Sequence, residues 1–188
     1  MNRKKISGIV LLILLFSVGV TGGYLYFSKV ILKYTPAPEG ADEGLAKTED
    51  IFLLRMYYPV GDQLQIEERK CPRRTGLAAI ATATVEEYLK GPAGSAATHM
   101  PKDVKLLALY RGADRILYVD LSDELRRNFQ GDALTEFLLL KGLYESIISN
   151  VEDIDDVKVL IEGKEAETLG GHFYLLYPLK DMVSYEYR

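Results

Sequence analysis

Residues 75–92 read TGLAAIATATVEEYLKGP, and this stretch sets the architecture of the chain around it. From Leu77 onward, apolar side chains recur every three or four positions, as on the buried face of an amphipathic helix. The Gly91-Pro92 pair ends the pattern, because glycine adopts the left-handed cap conformation and proline cannot continue a helix. The stretch therefore predicts a helix over residues 75–90 that packs one face against other elements.

Strands are predicted on both sides of this helix. Downstream, residues 104–110 and 115–121 are apolar runs joined by a short connection that contains glycine, which is typical of a hairpin. Upstream, residues 51–58 read IFLLRMYY and are apolar on both faces, which favours a central strand buried on two sides. A more polar strand is predicted over residues 64–70.

A second long helix is predicted over residues 132–149, where apolar positions again recur at helical spacing. An alternating strand follows over residues 157–161, and a last strand is predicted over residues 172–177. The order is β-(β)-α-β-β-α-β-β. We expect an α/β (α+β) domain in which one mixed sheet carries two main helices on one face.

The N-terminus carries a separate signal. Arg3, Lys4 and Lys5 precede an uncharged run over residues 6–27, which as a helix would be about 33 Å long and would cross a bilayer core of about 30 Å. The basic residues predict a single pass through the inner (cytoplasmic) membrane, with the N-terminus inside and the remainder periplasmic. A secretory signal cleaved near residues 19–23 is the alternative interpretation.

This interpretation divides the chain into a cytoplasmic stub (1–5), a transmembrane anchor (6–27), a flexible linker (28–50) and one domain (51–188). All 27 acidic residues lie after position 33, whereas five of the 23 basic residues lie at or before it, so the soluble part has a net charge of −9. We expect no nucleic-acid partner for so acidic a domain. The single cysteine, Cys71, cannot form an intramolecular disulfide.

No catalytic or metal-binding constellation is recognisable in the sequence. A metal site needs three or four converging ligands, and the two histidines, His99 and His172, come without such a set. The acidic run over residues 152–156 lacks the glycine that a calcium loop needs at its sixth position. Ser122 has no nucleophile elbow around it, and we interpret it as a helix N-cap. We expect no cofactor and no enzymatic activity; a hydrolase is the least favoured alternative.

Two surface features are candidates for contacts with partners. A basic loop is predicted at Arg69, Lys70, Arg73 and Arg74, which would meet anionic wall polymers, lipid head groups or an acidic partner, or else stay solvated. Tyrosine is abundant, and several tyrosines on predicted strands either pack in half-buried positions or form an exposed aromatic face. These tyrosines are Tyr57, Tyr58, Tyr110, Tyr118, Tyr174 and Tyr177.

Six short motifs occur in order along the domain. They are Tyr57-Tyr58-Pro59, EYLKGP at 87–92, MPKDVKLL at 100–107, YVDLS at 118–122, Glu162-Gly163 and YPL at 177–179. In this order and spacing they resemble the GerMN domain family of sporulation and spore-germination proteins. The resemblance implies a fold similar to ring-building motifs and an envelope-associated, non-enzymatic module. It also marks a set of structural motif residues, namely Gly91, Pro92, Pro101, Asp120, Ser122 and Gly163.

We therefore expect a membrane-anchored envelope protein whose domain mediates protein–protein assembly, either with itself or with another envelope protein. The alternative is a peptidoglycan-binding or amidase-regulating module that uses the tyrosines or the basic loop.

Overall fold

The computed structural model describes residues 19–22, 51–94 and 99–184. The chain divides into two compact units, Met1–Lys47 and Thr48–Arg188. In the first unit, the residues that are described are helical and exposed.

The expected cytoplasmic stub (1–5) and linker (28–50) lie outside the described residues, as does all of the expected anchor apart from residues 19–22. Within the part of the chain that the structure describes, no helix is long and apolar enough to cross a bilayer.

The described part of the second unit has the element order β1-β2-α1-β3-β4-α2-α3-β5-α4. The strands are β1 (Ile51–Val60), β2 (Gln63–Pro72), β3 (Leu106–Arg111), β4 (Ile116–Leu121) and β5 (Asp156–Ile161). The helices are α1 (Leu77–Leu89), α2 (Glu124–Arg127), α3 (Ala133–Asn150) and α4 (Lys180–Val183). Helices α1 and α3 confirm the two long helices expected from hydrophobic periodicity, and β3 and β4 confirm the predicted hairpin.

The strands form two sheets, so the expected single mixed sheet is wrong. Strands β1 and β2 pair antiparallel as a two-stranded hairpin sheet, in which Leu53 lies opposite Lys70 and Tyr57 opposite Ile66. In the mixed sheet, β4 lies between β3, which is antiparallel to it, and β5, which is parallel. The parallel pair requires a crossover connection, which α2 and α3 supply.

Strand β1 is not the doubly buried central strand that its apolar sequence indicated. Leu54, Met56 and Tyr58 face the core, whereas Ile51 and Leu53 are exposed on the opposite face. The outer face of the hairpin, which carries Ile51 and Leu53, is in contact with solvent. Among the described residues β1 also has a single strand neighbour, β2, because helix α3 occupies the place that a second strand would take.

Helix α3 closes the outer edge of β1 with side chains. The amide of Asn150 accepts the N–H of Arg55 (2.9 Å) and donates to the carbonyl oxygen of the same residue (2.7 Å). Ser146 Oγ accepts the N–H of Tyr57 (2.9 Å). A Cβ atom at Gly142 would lie 2.4 Å from the carbonyl oxygen of Tyr57, so only glycine permits this approach. Backbone groups that would otherwise pair with a strand are thereby satisfied by the helix.

The strand expected over residues 172–177 is not formed. In its place, an isolated bridge joins Thr168 to Tyr174. The chain contacts β5 through single hydrogen bonds, such as that from the N–H of Leu179 to the carbonyl of Val157 (2.8 Å). The N–H of His172, the first residue of this segment, donates to a side chain of α3, described below, and is therefore not available to a strand ladder.

The core of the second unit is built around α1 and α3, which pack against each other and contact both sheets. The rings of Tyr58 and Tyr88 stack with centroids 5.6 Å apart, and the Tyr88 hydroxyl donates to the carbonyl of Leu139 (2.7 Å). Burial raises the pKa of Tyr58 to about 12 and that of Tyr88 well above its usual value. Every described member of the core belongs to this unit, which therefore has what a domain needs to fold alone.

Candidate functional site

The first group of motif residues lies around the end of α1. Gly91 has a positive φ of 77°, and its N–H donates to the carbonyl of Tyr88 (3.0 Å), as expected for a left-handed helix cap. The Gly91 carbonyl in turn accepts from the guanidinium of Arg69 (2.8 Å). Pro92 follows directly, and Pro101 is buried. These residues shape the chain and carry no reactive group.

Asp120 and Gly163 meet where β4 and β5 end. The buried carboxylate of Asp120 accepts the N–H of Gly163 at 2.7 Å. Gly163 has a φ of 71° and follows Glu162 with a φ of 52°, so the turn contains two residues in the left-handed region. The carboxylate thus fastens a turn that the backbone alone would not favour.

Ser122 joins the end of β4 to the residue before β3. Its N–H donates to the carbonyl of Lys105 (2.9 Å), and its Oγ accepts the N–H of the same residue (3.0 Å). A hydrogen bond from Ser122 lowers the pKa of Glu124. The N-cap of α2 is Asp123, so the predicted capping role of Ser122 is wrong. A buried hydroxyl held in this way braces the end of β4 against the residue before β3.

The basic segment does not form one loop, because β2 extends through its first half. Arg69 and Lys70 consequently point to opposite faces of the strand. Arg69 is half-buried, with its guanidinium 5.4 Å from the centroid of the Tyr58 ring. Lys70, Arg73 and Arg74 are exposed. The positive surface is therefore smaller than the sequence indicated, and Arg69 has a structural position.

A buried carboxylate on α3 is a feature that sequence reasoning missed. Glu136 is fully buried and accepts the N–H groups of Leu169 (3.2 Å), Gly170 (2.9 Å) and His172 (3.0 Å), together with Nδ1 of the His172 ring (2.8 Å). The available signal was an acidic residue inside the apolar stripe of a helix. This Glu136 cluster ties the first turn of α3 to a loop that follows β5.

Lys158 on β5 was also missed. Its side chain is 4% exposed, forms an ion pair with Glu165 (3.2 Å) and donates to the carbonyl of Leu176. The buried ammonium therefore holds down the chain that follows β5, where a further strand had been expected.

The tyrosines divide between the core and the surface. Tyr58 is buried, whereas Tyr110 and Tyr118 stack with centroids 5.0 Å apart on neighbouring strands of the mixed sheet. Tyr174 and Tyr177 lie beyond β5 and are largely exposed, the latter by 72%. The expected aromatic face thus exists in part, on the mixed sheet and the chain after β5.

The hairpin sheet has one open edge. Arg55 lies opposite Glu68, and both backbone groups of Arg55 bind Asn150. The two residues are therefore a non-hydrogen-bonded pair, in which the backbone N–H and C=O groups of Glu68 point away from β1. Because the geometry of a strand repeats every two residues, the backbone N–H and C=O groups of Ile66 and Lys70 also point away from β1. Among the described residues, no hydrogen bond joins these outward groups to another element. We call these three residues the open β2 edge; all three side chains are exposed.

The described residues contain no group of three or more His, Cys, Asp or Glu side chains that could hold a metal ion. His99 lines a surface cavity of about 450 Å³ together with Lys102, Asp103 and Asn128. Cys71 is a buried free thiol whose pKa is raised by that burial. These groups lie in separate places and form no common site.

A family model described as Germane, sporulation and spore germination, matches residues 55–167, more than half of the chain. No curated protein matches this chain. Among solved structures, the tandem GerMN domains of the sporulation protein GerM from Bacillus subtilis align at a TM-score of 0.50 and 18% identity, over 70% of this chain and 47% of that one. The match shows a shared fold, and this chain spans about half of the tandem structure.

Two further structures are similar. The first GerMN domain of the same Bacillus subtilis protein aligns at a TM-score of 0.49 and 18% identity, over 67% of this chain and 94% of that one. A candidate lipoprotein from Clostridium perfringens aligns at a TM-score of 0.49 and 23% identity, over 72% of this chain and 91% of that one.

Proposed function

We propose that the domain of this chain is a non-enzymatic envelope module for protein–protein assembly. The premise is that the chain belongs to the Germane family of sporulation and spore-germination domains. The partner is a second copy of the chain or another envelope protein.

The observation that carries this proposal is the way in which the domain uses its buried polar groups. Asp120, Ser122, Glu136 and Lys158 are each buried, and each is engaged in bonds that hold a turn, a strand pair or a loop in place. Catalysis needs polar groups that converge on an accessible cleft, and these four are committed to the fold. Function is therefore left to the surface.

The surface supports binding because it keeps large apolar side chains in contact with solvent. Six of those in the described residues fall into two groups, one on the outer face of the hairpin sheet and one on the chain after β5. The members are Ile51, Leu53 and Ile66 in the first group, and Tyr174, Leu176 and Tyr177 in the second. Exposed apolar and aromatic side chains are typical of protein interaction sites.

The cellular place of the domain follows from the N-terminal sequence. The uncharged run over residues 6–27 anchors the chain in the inner membrane with its N-terminus in the cytoplasm, and residues 51–188 stand outside it. A domain held near the membrane in this way meets other envelope proteins at a high local concentration.

Photo-crosslinking in intact cells tests this function. A photoreactive amino acid replaces Leu53 or Tyr177, and a matched control replaces the exposed, charged Glu152. We expect discrete protein adducts from the two apolar positions and few from the control. Adducts to glycan, together with sedimentation of the purified domain on sacculi, would instead support the peptidoglycan-binding alternative. Turnover of muropeptides that Ser122→Ala abolishes would refute a non-enzymatic role.

A further inference from the structure

We propose that the open β2 edge pairs with the same edge of a second copy of this chain, antiparallel and across a two-fold axis. The two hairpin sheets then form one continuous four-stranded sheet. This inference rests on the proposed assembly function and names its partner.

The backbone supplies the first argument. A strand at the edge of a sheet presents unpaired N–H and C=O groups that bind another strand unless the protein covers them. In the hairpin sheet the β1 edge is covered by Ser146 and Asn150 of α3. The open β2 edge has no such cover among the described residues. Growth of this sheet is therefore directed to β2.

The side chains supply the second argument, because one register makes the edge complementary to itself. With Arg69 on the two-fold axis, Glu68 lies opposite the partner's Lys70, and Ile66 lies opposite the partner's Pro72. Each pair occurs twice by symmetry. An acid then faces a base, and an apolar side chain faces an apolar ring, which is the pairing that stabilises neighbouring strands. The carbonyl of Pro72 accepts the N–H of the partner's Ile66, and because proline has no N–H this pair makes one ladder hydrogen bond in place of two.

Neighbouring registers are disfavoured by the same charges. A shift of the axis by one residue places either Glu68 opposite the partner's Glu68 or Lys70 opposite the partner's Lys70, and like charges directly opposite destabilise strand pairs. In the favoured register Arg69 faces its own copy on the other side of the sheet. Its guanidinium is already held by Glu67 (3.0 Å) and the carbonyl of Gly91 (2.8 Å). The register is therefore specified by the sequence of β2.

A charge exchange tests the pairing. The compact unit Thr48–Arg188 contains its own core and suits sedimentation equilibrium from about 1 µM to about 1 mM. We expect a monomer–dimer equilibrium that Glu68→Lys or Lys70→Glu weakens by at least about tenfold, since each change creates two like-charge pairs. The double variant restores opposite charges and is expected to restore the dimer. Each substitution is on the surface and leaves the fold intact.

Hydrogen exchange gives an independent measurement. The N–H groups of Ile66, Glu68 and Lys70 are expected to become protected only at concentrations where the dimer forms. A monomer at every concentration, or a dimer indifferent to the charge exchange, would overturn the inference. If that monomer still forms adducts with another envelope protein through Leu53, the assembly function stands without self-pairing, whereas the loss of all protein adducts refutes both.

Discussion

Replacing Gly142 with alanine tests directly how α3 takes the place of a strand beside β1. The new Cβ would lie 2.4 Å from the carbonyl oxygen of Tyr57 and 2.9 Å from the hydroxyl of Tyr88. The first of these oxygens belongs to the backbone of β1 and cannot rotate away. The helix must therefore move from the strand by roughly 1 Å to restore a normal van der Waals separation.

The cost of this movement can be estimated from the bonds it breaks. Ser146 and Asn150 make three hydrogen bonds to β1, each with a net value of about 1 kcal/mol. Alanine has a higher helix propensity than glycine, which recovers about 1 kcal/mol of stability, whereas overpacking lowers the stability by about 1 kcal/mol or more. We expect Gly142→Ala to lower the free energy of unfolding by about 3 kcal/mol and the Tm by about 10 °C.

Urea and thermal unfolding of Thr48–Arg188, followed by circular dichroism, measure this effect. Ser149→Ala is the matched control, because Ser149 is exposed on the same helix and bonds only the hydroxyl of Tyr57 (3.2 Å); we expect a change below about 0.5 kcal/mol. Adding Tyr88→Phe to Gly142→Ala relieves only the 2.9 Å contact and should not restore stability. A Gly142→Ala protein as stable as the parent would refute the proposed role of α3.

Three further changes have distinct expected outcomes. Glu136→Ala leaves three backbone N–H groups without an acceptor and should cost about 3 kcal/mol in urea unfolding, with hydrogen exchange faster in residues 169–172 than elsewhere. Asp120→Ala should cost about 1–2 kcal/mol because the N–H of residue 163 loses its acceptor, whereas Asp120→Asn keeps an acceptor oxygen and should cost less than half of that. Stability should fall as pH rises from 10 towards 12, since Tyr58 keeps its proton in the folded state up to a pKa of about 12 while an unfolded tyrosine loses it near pH 10. Urea midpoints measured from pH 8 to 11.5 should show this decline. Tyr58→Phe should make it shallower but not abolish it, because the pKa of Tyr88 is raised as well; an unchanged slope in that variant would assign the decline to other groups.

The elements that depend on local sequence could be predicted. Helix α1 follows from its apolar spacing and from Gly91, whose positive φ confirms the expected cap. Helix α3 begins where Asp132 was expected to open it, and the Asp132 carboxylate accepts the N–H of Thr135 (2.9 Å). Such signals lie within a few residues of the structure they specify, and no distant contact overrides them here.

The arrangement of strands could not be predicted in the same way. The apolar run of β1 is compatible with burial on two faces, and only the distant helix α3 decides that its edge is closed by side chains. Likewise, nothing near Glu136 in sequence shows that a loop more than thirty residues away binds it. Ser122 has the residue type of a cap, but its partner is the backbone of Lys105, just before β3. Candidate contact residues were therefore not all placed on the right element. Arg69 and Lys70 were expected in a loop but lie on β2, where Arg69 is half-buried. Tyr174 and Tyr177 were expected on a strand that is not formed.

The capping of β1 by Ser146 and Asn150 also limits valency. A sheet with two free edges can add copies at both sides and grow into a filament, whereas a sheet with one free edge is exhausted by a single self-complementary contact. Among the residues that the structure describes, the side chains of α3 leave one edge of the hairpin sheet available, that of β2. Edge pairing would thus stop at two copies, and any larger assembly would have to recruit the mixed sheet or the apolar chain after β5.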